Sequence, residues 1–455
     1  MKRPTTLRAN SGRDAHWLSR MLIAAAVLHL SLTTAVFIAG RKSVLRGAFD
    51  SNGIAVSFAS DGVRHLSDAA TLAQFLQQRQ LHTWFSSPYP FHVKLYSLSL
   101  AIFDPLFGPN ILSAEPLNLL CYLGILMLVY KLAEEAFNRR AGFIASVIVA
   151  LWPSLLLHTT QLLKDPLFIL SMLALIHVLI RLSREADAWR KLMLYGAVGA
   201  LITGILWKTR LDMEPVVIAT VALGVALLIL RQLQLKQFLL PNVVAMSLLV
   251  ILMAAAIRFL PVYHDREHPL KQLNPVAQTL EEWHRSRHPT LRWWQAGARV
   301  GNIRQRFVGM YPASNSQIDP DVILSNNLDL LRYLPRATAI GFFAPFPGMW
   351  FESGNSVGRS GRLLGGMEMT LMYCVEALAL IGLWQERRRL SVWLLMSIAT
   401  MGVVALGLVV INVGSLYRLR YLFMVLLIVL AAGGITHLLN TFENRQSPHA
   451  KASEA

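Results

Sequence analysis

The chain has 455 residues, carries a formal net charge of +17, and is 54% hydrophobic but only 15% charged. A soluble domain is usually about 25% charged, so this composition excludes a soluble enzyme, a disordered chain and a coiled coil. Long apolar runs recur from Met21 to Leu439. They are continuous rather than alternating, which indicates membrane-spanning helices and not a barrel.

Ten apolar runs are long enough to cross a bilayer, which takes about 20 helical residues each. A further stretch, residues 334–350, is a candidate re-entrant segment that is left out of this count because Pro345 and Pro347 interrupt it. The expected fold class is an all-α polytopic membrane protein with a large external loop. The predicted spans are residues 20–40, 115–133, 141–159, 166–182, 192–207, 215–231, 237–260, 366–384, 391–411 and 421–439.

The distribution of Lys and Arg predicts the orientation of the spans, because basic residues accumulate in short cytoplasmic loops. The N-terminal tail and the run Arg387–Arg389 are both basic and lie on the same side if there are ten spans. Both termini are therefore expected in the cytoplasm. The implied organisation is a cytoplasmic tail (1–20), an N-terminal transmembrane module (21–260) with a first external loop (41–113), an external loop region (261–365), C-terminal transmembrane helices (366–440) and a cytoplasmic tail (441–455).

Reporter fusions test this topology directly. Fusions at Gln78 and Trp293 are expected to report an external position, and a fusion at Arg388 an internal one. An internal signal at Gln78 would rule out the whole predicted active site.

The first external loop is predicted to contain two helices. Helical spacing runs from Ser67, a plausible N-cap, to Gln78, and Leu66, Ala69, Leu72 and Phe75 share one face. The second stretch, Val93 to Phe107, is apolar enough to lie in the membrane interface. Trp84 and Tyr89 suit the interfacial aromatic belt and are candidate substrate-binding residues.

Asp61 lies just before the first of these helices, and two interpretations of it stay open. An Asp-Gly pair is a turn signal by itself, so Asp61 is a turn or helix-entry residue on the simpler interpretation. A carboxylate held at the membrane surface would alternatively act as a general base toward a hydroxyl group.

Short motifs follow in a fixed order through this loop and the next two spans. They are Asp61-Gly62, Leu106-Phe107-Gly108, Pro116-Leu117-Asn118, Tyr130-Lys131-Leu132-Ala133, Phe137-Asn138-Arg139-Arg140-Ala141-Gly142 and Leu151-Trp152-Pro153-Ser154. The layout over about residues 45–185 resembles that of GT-C glycosyltransferases, membrane enzymes that take a sugar from a polyprenyl-phosphate carrier. The relatives in question are protein O-mannosyltransferases and the aminoarabinose transferase that acts on lipid A. One departure is Gly62, because the family often has Asp-Glu in this loop.

Lys164 and Asp165 lie between the third and fourth predicted spans. Asp165 as an N-cap followed by Pro166 in the first helical turn explains the pattern structurally. The resembled family often places a charged residue here, facing the first loop. On that interpretation Lys164 meets a phosphate and Asp165 orients the acceptor.

Lys208 and Arg210 lie with two acids, Asp212 and Glu214, in the short loop between the fifth and sixth spans. An interfacial set of local ion pairs explains them structurally. The functional alternative is a phosphate clamp, since a guanidinium presents paired donors to phosphate oxygens and an ammonium adds a point charge.

The region from about residue 260 to 365 is basic and aromatic, which suits an anionic lipid, a phosphate-bearing acceptor or a stacked sugar. The alternative is a loop that caps the helices. Four histidines lie within it, but no nearby cysteine and no third clear ligand accompany them, so no metal is expected. The positions concerned are Trp283, Trp293, Trp294, Arg285, Arg287, Arg292, Arg299, Arg304, Arg306 and Arg336, with His264, His268, His284 and His288.

Arg418 and Arg420 precede the last span beside Tyr417, a candidate substrate-binding residue. The topology places both arginines outside, against the positive-inside trend. A positive charge in such a position is expected to have a binding partner. The resembled family often has an arginine near the carrier phosphate at this place. Headgroup anchoring is the simpler alternative.

The resemblance implies an inner-membrane glycosyltransferase with a GT-C-like bundle of about ten transmembrane helices. Its donor would be a polyprenyl-phosphate sugar and its acceptor a hydroxyl on a glycan, lipid or protein. Asp61 would deprotonate the acceptor, Arg418 and Arg420 with Arg210 or Lys208 would stabilise the leaving phosphate, and a single displacement would invert the anomeric carbon. No nucleotide-binding motif occurs, so no cofactor is expected. No nucleic acid partner is expected either, because the basic loops are predicted to lie on the outer face, whereas membrane lipids surround the chain.

Two other classes of protein share some of these features. A polysaccharide polymerase or ligase would use basic outer loops to hold a diphosphate-linked donor, but it would not need Asp61. A lipid or glycan carrier would place ionisable residues deep in the spans, where His177 and Glu376 are the main ones apparent from sequence. Replacing Asp61 separates the first class from a polyprenyl-phosphate glycosyltransferase.

Overall fold

The computed structural model of the protein describes residues 7–44, 47–56, 58–183, 189–259, 296–310, 316–352 and 358–452. Within these ranges the chain is helical, and β-structure is limited to an isolated bridge between Gln317 and Asn412. The helices are α1 (Leu7–Arg41), α2 (Ser60–Gln77), α3 (Leu81–Ser86), α4 (Phe91–Phe107), α5 (Ile111–Ala136), α6 (Arg139–Ala150), α7 (Pro153–Thr159), α8 (Asp165–Ser183), α9 (Trp189–Thr209), α10 (Glu214–Leu235), α11 (Leu240–Phe259), α12 (Ala296–Met310), α13 (Asn327–Phe343), α14 (Gly358–Gln385), α15 (Leu390–Val409), α16 (Val413–Leu419) and α17 (Tyr421–Ala452).

Nine helices in the described ranges are long and apolar enough to cross a membrane, so the chain is a multi-pass membrane protein. They coincide with nine of the ten predicted spans. The nine are α1 from His16, α5, α8, α9, α10, α11, α14, α15 and α17 as far as Arg445.

The third predicted span, 141–159, is not one straight helix. It consists of α6 and α7, which meet at a bend of 70°. The cause is Pro153, the first residue of α7, which disfavours helical backbone at the residue before it. Trp152 accordingly has an extended ψ of 111°, and α6 ends at Ala150.

The loop between α1 and α5 differs in part from its prediction. Helix α4 matches the predicted second stretch, but α2 begins at Ser60 rather than at Ser67. Ser67 is therefore not an N-cap, and Ala59, which precedes α2, makes no side-chain cap. The buried stripe of α2 extends back to Gly62, one turn earlier than the pattern from Leu66 suggested. A short helix, α3, was not predicted.

The candidate re-entrant stretch 334–350 also has a defined structure. It contains the second half of α13, which continues through Pro335, and a 3-10 turn at Pro347–Met349. Helix α13 is not among the helices that pass the length and apolarity test for a span.

The described chain divides into two compact units. The first comprises residues 1–87, 91–173 and 435–455, and the second residues 88–90 and 174–434. In the first unit α2 packs on α4, and α5 packs on α1, α4 and α6. In the second unit α9 packs on α11, and α15 packs on α10 and α13.

A buried polar network links α1, α5 and α7 in the first unit. His29 Nδ1 lies 2.7 Å from Glu115 Oε1, and Thr33 donates to Glu115 Oε2 at 2.9 Å. The Thr159 hydroxyl donates to the carbonyl of Leu156, so it accepts from His29 Nε2 at 3.1 Å. Every polar atom of this ionisable pair thus has a partner, as a buried pair in a membrane protein requires.

Candidate active site

The loop between α7 and α8, residues 160–164, is joined to the α1–α5 loop through Gln161. Its side-chain oxygen accepts a hydrogen bond from the backbone N–H of Ala55 at 3.0 Å, and its amide donates to the carbonyl of Gly53 at 3.4 Å. Gln161 is completely buried. Because both ends of the amide are used, one side chain fixes two loops that are about a hundred residues apart in sequence.

Tyr96 of α4 and Asn118 of α5 hold the same α7–α8 loop through its backbone carbonyl groups. The Tyr96 hydroxyl lies 2.8 Å from Asn118 Oδ1 and 3.1 Å from the carbonyl oxygen of Leu163. The Asn118 amide donates to the carbonyl of Thr160 at 3.1 Å. Burial raises the pKa of Tyr96 well above its ordinary value, so the hydroxyl remains a donor.

Asp61 lies in the first turn of α2 and is exposed. A carboxylate is favourable there because the N-terminus of a helix carries a partial positive charge. Burial lowers the pKa of His65, one turn further along α2, whereas the Leu162 carbonyl and the Asp61 carboxylate raise it and Lys164 lowers it. Asp61 and Lys164 therefore both lie within electrostatic range of His65.

The structure explains why this chain has Gly62 where the resembled family often has a second acid. Gly62 is buried, and a Cβ atom added there would lie 3.2 Å from Ile54 Cγ2 and 3.6 Å from the carbonyl oxygen of Leu162. A second carboxylate at this position would point into packed groups. The loop has another acid that sequence reasoning missed, Asp50, whose Oδ1 accepts from the N–H groups of Asn52 and Ile54 in an Asx turn.

Asp165 and Lys164 adjoin each other but differ in exposure. Asp165 is the first residue of α8 and only 3% exposed, whereas Lys164 is half-buried. Asp165 lies close enough to Tyr96 to contribute to the raised pKa of that phenol. The structure thus brings Asp61, Lys164 and Asp165 close to the α7–α8 loop, and Asp61 is the more accessible of the two carboxylates.

Trp84 is buried, and its ring holds α3 onto α4. Its indole N–H donates to Ser97 Oγ at 2.8 Å, and the Lys94 ammonium lies 5.6 Å from the ring centroid. These contacts show that Trp84 packs α3 onto α4, and its predicted part in substrate binding stays a prediction. Tyr89 is half-buried.

Arg420, in the second unit, is buried and engaged by the end of α13. Its Nη1 donates to the carbonyls of Gly341 at 2.9 Å, Phe342 at 3.1 Å and Ala344 at 2.9 Å, and Nη2 contacts Met369 Sδ. The last carbonyls of a helix have no partner within it, and the guanidinium satisfies them. This arrangement assigns Arg420 a structural role.

Arg418 is in the last turn of α16 and is half-buried, so it is the more accessible of the two arginines. Tyr417 donates its hydroxyl proton to the buried carboxylate of Glu368 and stacks below the Arg420 guanidinium, whose carbon lies 5.5 Å from the ring centroid. Tyr417 and Arg420 thus support α16, and the phosphate-binding role predicted for Arg418 stays a prediction.

Arg210 and Lys208 also belong to the second unit. Arg210 is buried, and its Nε lies 3.2 Å from Asp212 Oδ2, which provides local charge balance for the predicted clamp. Lys208 is half-buried. A small pocket between α9, α10 and α11 is lined by Trp207, Arg210 and Glu214 together with apolar side chains.

Two arginines of the basic region from 261 to 365 have structural partners. The buried Arg304 guanidinium donates to the carbonyls of Ile318, Asp319 and Leu408. Arg336 binds the Asp319 carboxylate with two hydrogen bonds of 2.9 and 3.0 Å, and these bonds lower the pKa of Asp319. The remaining basic and aromatic residues named for this region up to position 294 lie outside the described residues.

The four histidines considered for a metal, His264, His268, His284 and His288, lie outside the described residues as well. Among the residues that the structure does describe, no group of three or more His, Cys, Asp or Glu side chains is placed to hold a metal ion.

Comparison with known proteins supports the fold and part of the sequence resemblance. The family model for dolichyl-phosphate-mannose-protein mannosyltransferases matches residues 91–258. The archaeal oligosaccharyltransferase AglB from Archaeoglobus fulgidus, solved with an inhibitory peptide and a dolichol-phosphate, superposes with a TM-score of 0.50 at 14% identity. The superposition covers 96% of this chain and 52% of AglB, so the chain spans about half the length of that enzyme.

A second solved structure, ArnT from Cupriavidus metallidurans bound to undecaprenyl phosphate, has a TM-score of 0.33 at 13% identity, covering 90% of this chain and 77% of ArnT. No curated protein matches the sequence significantly. The resemblance first seen in the motifs of the α1–α8 region is confirmed as a resemblance: the mannosyltransferase family model matches residues 91–258, and the chain shares the fold of AglB.

Proposed function

We propose that the protein is a membrane glycosyltransferase that moves a sugar from a polyprenyl-phosphate donor to an acceptor hydroxyl on the outer face of the inner membrane. The observation that carries the proposal is the family match, which runs from α4 to α11. It includes Tyr96, Asn118 and Gln161, the side chains that fix the α7–α8 loop beside Asp61.

The proposed reaction is a single displacement at the anomeric carbon. Asp61 takes the proton of the acceptor hydroxyl while the acceptor oxygen bonds to the anomeric carbon. The bond between that carbon and the donor phosphate oxygen breaks, and its electron pair leaves with the lipid phosphate, so the sugar is transferred with inversion. Asp61 is exposed in the first turn of α2, where an acceptor hydroxyl can reach its carboxylate.

The leaving phosphate gains charge as the bond breaks and requires fixed positive groups. Arg418 is our choice for this role because Arg420 already binds the carbonyls at the end of α13. Lys164, Lys208 and Arg210 are the remaining candidates for contacts with the donor phosphate.

A binding experiment tests the donor class. Purified protein in detergent is heated with undecaprenyl phosphate, with undecaprenyl diphosphate, or with undecaprenol, which lacks the phosphate. A ligand at a concentration of about 100 times its Kd stabilises the folded state by about 2.7 kcal/mol. We expect a clear rise in melting temperature with the monophosphate and little with the alcohol.

Equal shifts with the phosphate and the alcohol would contradict recognition of a phosphate. A shift confined to the diphosphate would favour a polymerase or ligase. Mass analysis of cell-envelope glycans and lipids after deletion of the gene would then identify the acceptor, as one missing sugar on a glycan, a lipid or a protein.

The two arginines before α17 are expected to respond differently to the same substitution. Arg418→Lys should lower turnover about tenfold, or ~1.4 kcal/mol, and weaken undecaprenyl phosphate binding, because lysine cannot reproduce two-point contacts to phosphate. Its melting temperature should stay close to that of the wild type. Arg420→Lys should instead lower the melting temperature, since an ammonium cannot span the carbonyls of Gly341 and Ala344 as the guanidinium does.

Steady-state kinetics and thermal denaturation of both variants provide the measurement. If neither variant alters lipid-phosphate binding, Arg418 does not bind the donor, and Lys208 and Arg210 are the next residues to replace.

A further inference from the structure

Two histidines meet beside Asp61 in the first unit, and sequence reasoning had assigned neither a role. His65 lies four residues after Asp61, so the two side chains project from the same side of α2. His92 lies in the first turn of α4 and is only 4% exposed. The two rings are 4.6 Å apart in an edge-on arrangement, with Nε2 atoms separated by 3.3 Å.

The hydrogen bonds of His65 fix which of its nitrogens carries the proton. Nδ1 lies 2.9 Å from the carbonyl oxygen of Leu162. A carbonyl can only accept, so Nδ1 is protonated, and in a neutral ring Nε2 is then an acceptor. His92 must therefore donate from its own Nε2. Burial, which lowers the pKa of His65, favours this neutral form.

We propose that His65 is a positioning residue for Asp61: through its bonds to the Leu162 carbonyl and to His92, it fixes the first turn of α2 against the α7–α8 loop. The α7–α8 loop is itself rigidly held by Gln161, so the Leu162 carbonyl is a fixed reference point. The close approach of Gly62 to that same carbonyl shows how tightly the two segments fit. The inference rests on the proposed role of Asp61 as the base.

The charged groups near His65 lie on its own helix and on the α7–α8 loop, and α4 adds one titratable group. Asp61 and Arg64 lie on its own helix, Lys164 lies on the α7–α8 loop, and His92 is the titratable group presented by α4. Protonation of His65 would make its Nε2 a donor, so His92 could keep the bond only by moving its own proton to the buried Nδ1. It would also set a cation near Asp61, which makes that carboxylate a weaker base. Activity should therefore fall as the pH drops through the lowered pKa of His65.

Two substitutions at the same position separate geometry from titration. His65→Asn keeps an amide donor where Nδ1 lies but cannot titrate, so it should retain turnover at high pH and lose the acidic decline. His65→Leu removes both hydrogen bonds and should lower kcat by roughly 10- to 100-fold at every pH, because a small displacement of a catalytic group is costly. The Michaelis constant for the donor should change little. His82→Asn, at an exposed histidine of α3, is the matched control.

A measurement that needs no turnover tests the juxtaposition itself. The pKa of His65 can be followed by NMR of isotope-labelled histidine, with its signal assigned from its loss in His65→Asn. Asp61→Asn should lower this pKa and Lys164→Gln should raise it. Asp68→Asn, which removes a carboxylate further along α2 that pairs with Arg64, is the control.

Opposite shifts in the two variants would support the arrangement, and an unchanged His65 pKa in both would overturn it. An acidic decline that persists unaltered in His65→Asn, or full activity of a stable His65→Leu, would also overturn the proposal. Normal turnover of Asp61→Asn together with the expected NMR shifts would have a different meaning: the proposed base would be wrong, while the positioning of Asp61 by His65 would stand.

Discussion

Asp61→Asn is expected to lower the turnover number by roughly 10²- to 10⁴-fold, the range over which general base catalysis contributes to enzymes. Asparagine keeps the shape of the side chain and removes only its capacity to take a proton. Because Asp61 is exposed in the first turn of α2, the substitution should leave the melting temperature nearly unchanged. The measurement is steady-state sugar transfer to a defined acceptor, with thermal denaturation in parallel.

Asp68→Asn is the matched control on the same helix. Asp68 forms an ion pair of 3.7 Å with Arg64, and pairs near the surface contribute little. Near-normal turnover of Asp61→Asn would reduce Asp61 to a helix-entry residue. Asp165 would then be the next carboxylate to replace, and because it is buried its substitution would need a stability control of its own.

His29→Leu is expected to lower the free energy of unfolding by about 3 kcal/mol, the lower part of the range for removing one partner of a buried, hydrogen-bonded pair of ionisable groups. The substitution leaves the Glu115 carboxyl group buried with only Thr33 as a donor. It also removes the donor to Thr159, at the end of α7 beside the loop that Gln161 fixes. Equilibrium unfolding in mixed micelles measures the change.

The double variant His29→Leu with Glu115→Leu shows whether the destabilisation comes from losing the contact or from leaving one polar group buried without its partner. It should be milder than the sum of the single variants, because both polar groups leave the core together. Thr34→Val is the control on α1, since the Thr34 hydroxyl is exposed and donates to the carbonyl of its own helix. Strictly additive effects would mean that His29 and Glu115 do not interact.

The buried pair also bears on the carrier alternative. A carrier was expected to hold ionisable groups deep in its spans, and sequence reasoning noted only His177 and Glu376. The structure adds His29 and Glu115 in helices α1 and α5, both of which are long and apolar enough to cross a membrane. Their atoms are all engaged by neighbouring helices, which makes the pair a fixed interhelical contact.

The sequence by itself determined the membrane class, the places of nine spans and the family resemblance. Those features depend on hydrophobicity and local motifs, which can be read along the chain without knowing its contacts. The local rules also located α4 closely. They misplaced the start of α2, because its first turn is held by packing around Gly62 rather than by a capping side chain at Ser67.

The roles of individual polar residues were decided only by the tertiary structure. Arg418 and Arg420 look equivalent in sequence, and nothing local shows that Arg420 binds the carbonyls of α13, nearly 80 residues away. Nothing in the local sequence distinguishes Gln161 from the polar residues around it, because its partner Ala55 lies 106 residues before it. Hydrogen bonds between segments so distant have no periodic signature in the chain, so only the packing of the helices decides which polar groups bind each other.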